Sequence, residues 1–135
     1  MRLTHSLTVI GATAAMLVGG VVAAPTASAA SRTVELYTKD AAPGGYAKMT
    51  VNWYNNSYGA YKGTVTGVLT DREADGWCVQ TFVIEDGDWV RQKPTACPKG
   101  EWQRISHTYH NVRNVQVAVC LVKNPTGAAS YCRIG

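Results

Sequence analysis

Val115-Gln116-Val117-Ala118-Val119-Cys120-Leu121-Val122 places Val115, Val117, Val119 and Leu121 on one side of an extended chain. Gln116, Ala118, Cys120 and Val122 fall on the other side. Successive side chains of a strand point to opposite faces, so this period of two predicts a β-strand with its valine side in a core. Asn124-Pro125-Thr126-Gly127 turns the chain after it, and Ala129 to Arg133 forms a closing strand.

The same period recurs toward the amino terminus. Tyr46 to Tyr54 (YAKMTVNWY) sets Ala47, Met49, Val51 and Trp53 against Lys48, Thr50, Asn52 and Tyr54. The first set reads as core-facing. Thr33 to Thr38 alternates around Val34 and Leu36, and Pro43-Gly44-Gly45 separates the two segments. Tyr61 to Thr70 is a further strand whose Gly63 and Gly67 share a side with Tyr61, Val65 and Leu69. Glycines at those places predict a bulge, or an aromatic ring lying over the backbone. Trp77 to Ile84 is a strongly apolar strand, Asp86-Gly87 a hairpin corner, and Trp89 to Gln92 the return. Lys93 to Gly100, with Pro94, Cys97 and Pro98, reads as an irregular loop, and Glu101 to Tyr109 as a more polar strand. No segment of helical period reaches ten residues. Seven or eight short strands between Gly, Pro, Asn and Asp turns predict an all-β fold, a small antiparallel β-sandwich. A small β-barrel is the alternative closure.

The first residues carry Arg2, an apolar run from Leu7 to Ala24, and Ala27-Ser28-Ala29. That order is the pattern of a signal peptide cleaved after Ala29. The expectation is a leader over 1–29 and a single secreted, extracellular β domain over 30–135. No second run of the mature part is long and apolar enough to span a membrane.

Four cysteines in a small exported chain predict two disulfides. Three pairings are possible, and Cys78–Cys97 with Cys120–Cys132 is preferred because both close short segments. No C-x-x-C spacing points to a metal or to redox exchange. Thirteen Lys and Arg against nine Asp and Glu leave a net charge of +4. The positive residues are scattered and form no stripe, which argues against a nucleic-acid partner. They fit solubility and weak attraction to an anionic cell surface.

Catalytic signals are sparse. His107 and His110 stand three apart, on opposite faces of a strand. Ser106 adjoins His107 but points away from it, and no serine lies in a G-x-S-x-G elbow. The carboxylates gather in two turns, Asp71/Glu73/Asp75 and Glu85/Asp86/Asp88, at the ends of one strand. A glycosidase needs two acids across one cleft. The expectation is therefore a non-enzymatic protein with no cofactor. Asp71, Glu73 and Asp75 before Gly76 echo the start of a calcium loop, but position twelve is Phe82. A turn closed by Asx hydrogen bonds is the stronger reading.

Four Trp and seven Tyr are a heavy aromatic load. Asn52, Tyr54, Asn56, Tyr58 and Tyr61 form a Tyr/Asn-rich hairpin end, suited to sugars or to a protein partner. Trp89 and Trp102 flank the Cys97 loop and are expected to cover its disulfide. Three functions follow from these features. One is a secreted binding module for a polysaccharide or cell-surface component. A second is an inhibitor of a secreted hydrolase, acting through Thr95, Pro98 and Lys99 of the loop. The third is a structural cell-exterior or matrix protein.

Overall fold

The computed structural model describes residues 29–38, 44–56 and 58–135. The leader expected over 1–29 therefore lies outside the described residues, Ala29 excepted. Eight strands follow in order: β1 (Ala29–Tyr37), β2 (Gly45–Asn55), β3 (Tyr61–Asp71), β4 (Cys78–Glu85), β5 (Asp88–Ala96), β6 (Trp102–Val112), β7 (Val115–Val122) and β8 (Ser130–Ile134). They form two four-stranded sheets, β1-β2-β3-β6 and β5-β4-β7-β8. Every ladder is antiparallel. The fold is the expected antiparallel β-sandwich, two open sheets and not a closed barrel.

The core lies between the sheets. Ala47, Met49, Val51, Val65, Leu69, Ile105 and Tyr109 of the first sheet meet Val79, Val83, Val117, Val119 and Leu121 of the second. Each fully buried Val or Leu removes enough apolar area to stabilise the fold by about 1.5–3 kcal/mol before entropy is counted. Trp53, expected inside, is only partly buried and packs on the margin of this core. Tyr109 is 1% exposed, and its hydroxyl donates to the Asn52 carbonyl oxygen at 2.8 Å. That hydroxyl lies over Gly63, where a Cβ would come within 2.7 Å of it and within 1.9 Å of the Asn52 oxygen. The β3–β6 register shifts between Tyr61 and Gly63. A bulge and an overlying ring thus coincide at the glycine.

The two sheets differ in what covers their outer faces. β4 is buried on both sides, and the outward residues Phe82, Ile84, Ala118 and Cys120 form a second small core with Cys132. Trp89 packs edge-on to Phe82 at 5.4 Å. The Arg91 guanidinium covers the same ring and donates to the carbonyls of Pro125 and Gly127. Among the described residues, the first sheet carries no such layer.

Both disulfides have the preferred pairing, Cys78–Cys97 and Cys120–Cys132. Asp86 and Gly87 have positive φ, as a two-residue hairpin of the type I′ class requires. The region 93–100 departs from the expected loop. β5 continues through Pro94 to Ala96. It is an edge strand, where a residue without an N–H is tolerated, and its register with β4 shifts between Gln80 and Phe82. The buried Gln80 amide donates to the carbonyls of Gln92 and Pro94, which secures the irregular stretch.

Candidate functional site

Alternation gives β2 an outward set at Tyr46, Lys48, Thr50, Asn52 and Tyr54, and register carries that phase across the first sheet. Tyr37 pairs with Tyr46, Tyr46 with Thr70, and Thr70 with Trp102. One cross-strand row therefore holds three aromatic residues. Tyr37 and Tyr46 have ring centroids 5.0 Å apart, and Tyr46 meets Trp102 edge-on at 6.2 Å. Trp102 is 58% exposed and Tyr37 45%. These rings, with Thr70, Asp71, Arg72, Lys99 and Gly100, line a cleft of about 480 Å³.

The cleft floor is held by main-chain bonds. Gly100 N–H donates to the Asp71 carbonyl at 2.6 Å, and Arg72 N–H to Gly44 at 2.7 Å. The Arg72 guanidinium stands 5.3 Å from the Tyr37 ring centre, a cation–π contact that orients both groups. Asp71 is 3% exposed, and desolvation by burial raises its carboxyl above the ordinary value. Burial, and then the Glu35 charge, also raise the Tyr46 phenol.

Beyond this row the same face is polar. Glu35, Lys48, Val68 and Arg104 form the next row, with Lys48 and Glu35 paired at 2.9 Å. Thr33, Thr50, Thr66 and Ser106 follow, and then Ser31, Asn52, Thr64 and Thr108. An aromatic row beside ranks of hydroxyl groups offers stacking area and many donors and acceptors on one plane.

The structure separates the Tyr/Asn set. Asn52 and Tyr54 lie on the outer face of β2, Asn52 donating weakly to the Thr64 hydroxyl. The Asn56 side-chain oxygen accepts from the N–H groups of Tyr58 and Ala60, and its amide donates to Asn111. Tyr61 packs on the core. Tyr58 is 89% exposed at the turn and makes no ring contact among the described residues. Asn56 and Tyr61 therefore build the hairpin end and do not present a shared surface.

Thr95, Pro98 and Lys99 also divide. The Thr95 hydroxyl donates to Gln80 on the second sheet. Pro98 accepts from Glu101 N–H, and the Glu101 carboxylate accepts from Cys97 N–H. The short 97–101 turn is tied down beside Asp71, and Lys99 borders the aromatic cleft. Trp102 packs on Tyr46 and Trp89 on Phe82, so neither is seated on the Cys78–Cys97 bridge as expected. In the acidic turn, Asp71 Oδ1 accepts from Glu73 N–H and Asp75 Oδ1 from Trp77 N–H. Those are the Asx bonds of a closed turn. Among the described residues, no three His, Cys, Asp or Glu side chains come together to hold a metal ion. His107 is half-buried inside β6 and paired with Glu85 across the sheets. No helix among the described residues is long and apolar enough to cross a membrane.

The sequence reading overlooked Tyr37, Tyr46 and Trp102. Each stood at an outward phase of its strand, but only the register brings them into line.

No family model matches the chain, and no curated protein or solved structure is similar to it at a significant level.

Proposed function

We propose that the protein is a secreted, non-catalytic binding module that recognises a polysaccharide of a cell surface or matrix through the Tyr37–Tyr46–Trp102 row. The observation that carries this reading is the alignment of three aromatic residues, two of them well exposed, on a sheet face that no other described element covers. Sugar rings present apolar C–H faces and equatorial hydroxyls. Flat rings flanked by Arg72, Lys99 and the Tyr46 hydroxyl match both. Secretion rests on the leader pattern at 1–29. The non-catalytic reading is supported by the engagement of His107 with Glu85 and of Asp71 and Asp75 with main-chain amides.

Retention on insoluble polysaccharides tests the proposal. Trp102→Ala is expected to weaken retention about thirtyfold, the size of a lost aromatic anchor, with a melting temperature close to the parent's. Tyr58→Ala is expected to leave retention intact. Failure of the parent protein to bind any polysaccharide of a broad panel would exclude this function.

A further inference from the structure

β5 and β6 are both edge strands, one in each sheet, and a second groove of about 480 Å³ runs between them. Its lining is Arg91, Gln92, Lys93 and Pro94 from β5 and Arg104, Ser106 and His107 from β6. Among the described residues, no carboxylate lines it. Arg91 is committed to Phe82 and to the Pro125 and Gly127 carbonyls, and His107 to Glu85. Lys93 and Arg104 are exposed and form no ion pair among the described residues. Two uncommitted cations thus face a groove that also offers the Ser106 hydroxyl.

The groove adjoins the aromatic row. Arg104 follows Trp102 by two residues on the same side of β6, a step of about 6.8 Å along an antiparallel strand. A chain molecule lying on Trp102 would meet Arg104 next and then the groove. Its ring faces would suit the aromatics, and negative groups at that spacing would suit the cations. Lys99 and Arg72 add positive charge on the other side of Trp102.

We infer that the ligand is an acidic polysaccharide whose carboxylates are held by Arg104 and Lys93 at the β5–β6 groove while its sugar rings stack on the Trp102 row. This deepens the proposed function and rests on it. A guanidinium offers paired donors to a carboxylate, and an ammonium adds a point charge.

The test compares polygalacturonate with its fully methyl-esterified form, which keeps the backbone and loses the charge. The parent protein should hold polygalacturonate about tenfold more tightly at low salt, and the preference should shrink as salt rises. Lys93→Gln with Arg104→Gln should remove most of the preference, leaving only the part that Arg72 and Lys99 supply, and leave binding of the ester unchanged. Trp102→Ala should weaken both. Equal binding of the acid and the ester, or a preference untouched by the double variant, would overturn the acidic assignment while leaving polysaccharide binding standing. Tight binding of inorganic polyphosphate that Trp102→Ala does not weaken would reduce the groove to bare charge attraction and overturn it as well. Loss of retention on every polysaccharide would defeat the underlying function itself.

Discussion

A single hydroxyl and a single missing side chain fix how β2, β3 and β6 approach one another. Tyr109 donates to the Asn52 carbonyl through the space that Gly63 leaves open. Tyr109→Phe removes that bond and should cost about 1 kcal/mol, read as a lower urea midpoint. Gly63→Ala forces a Cβ into the Asn52 oxygen and should cost more, about 3 kcal/mol, the upper range of overpacking. The reverse order would mean that the hydroxyl outweighs the close approach. Asp71 yields a prediction in pH. Burial raises its native carboxyl pKa above the ordinary 3.8. Below 3.8 the group is neutral in both states and nothing is lost. As pH rises, the unfolded chain gives up the proton first, and stability falls until pH passes the raised native value. Asp71→Asn keeps an oxygen for Glu73 N–H but never ionises. Its melting temperature should match the parent near pH 3 and exceed it by a few degrees at pH 7. A lower melting temperature at pH 7 would refute this account.

At the scale of elements, Asp86 links two turns. Its side chain accepts from the N–H groups of Arg113 and Asn114, while its own N–H donates to the Asn114 carbonyl. The β4–β5 hairpin is thereby fastened to the turn where the chain passes from one sheet to the other. Asp86→Ala frees two main-chain donors and should cost about 1–3 kcal/mol in chemical denaturation, with Asp86→Asn recovering most of it. The Asp-Gly corner itself was legible in the sequence because positive φ at both positions selects those residue types. Alternation likewise marked β2 and β7, which turn one apolar side to the core, while β4, buried on both sides, showed as a continuous apolar run. The carboxyl half of β5 was hidden because Pro94 reads as a breaker, and only its edge position makes it tolerable. The aromatic row was hidden for another reason. Tyr37, Tyr46 and Trp102 meet through strand order and register, which one strand's pattern does not encode.

Across the whole molecule, covalent reinforcement is confined to one sheet. Cys78–Cys97 fastens edge strand β5 to β4, and Cys120–Cys132 fastens edge strand β8 to β7. The first sheet, which bears the aromatic row, has no disulfide and is held by its ladders, the shared core and side-chain bonds such as Lys48–Glu35 and His107–Glu85. The two fastened edges differ in what else secures them. β5 buries Gln92 and Ala96 and receives the Gln80 amide. β8 has five residues, none of them fully buried. Closing loops of 12 to 19 residues stabilises a fold by about 3 kcal/mol in the chain-entropy account, so β8 owes its place largely to its bridge. Local opening follows the least-buried segments first. Reduction under native conditions should therefore release β8 before anything else. In hydrogen exchange, the amides of 130–134 should lose protection in reductant while those of β2 and β3 retain it. The Cys120→Ser/Cys132→Ser variant should reproduce that pattern without reductant, and it should still bind polysaccharide, because its lost strand lies in the sheet that does not carry the row. Uniform loss of protection in both sheets would show that the sandwich opens as one unit and that the Cys120–Cys132 bridge secures the entire fold.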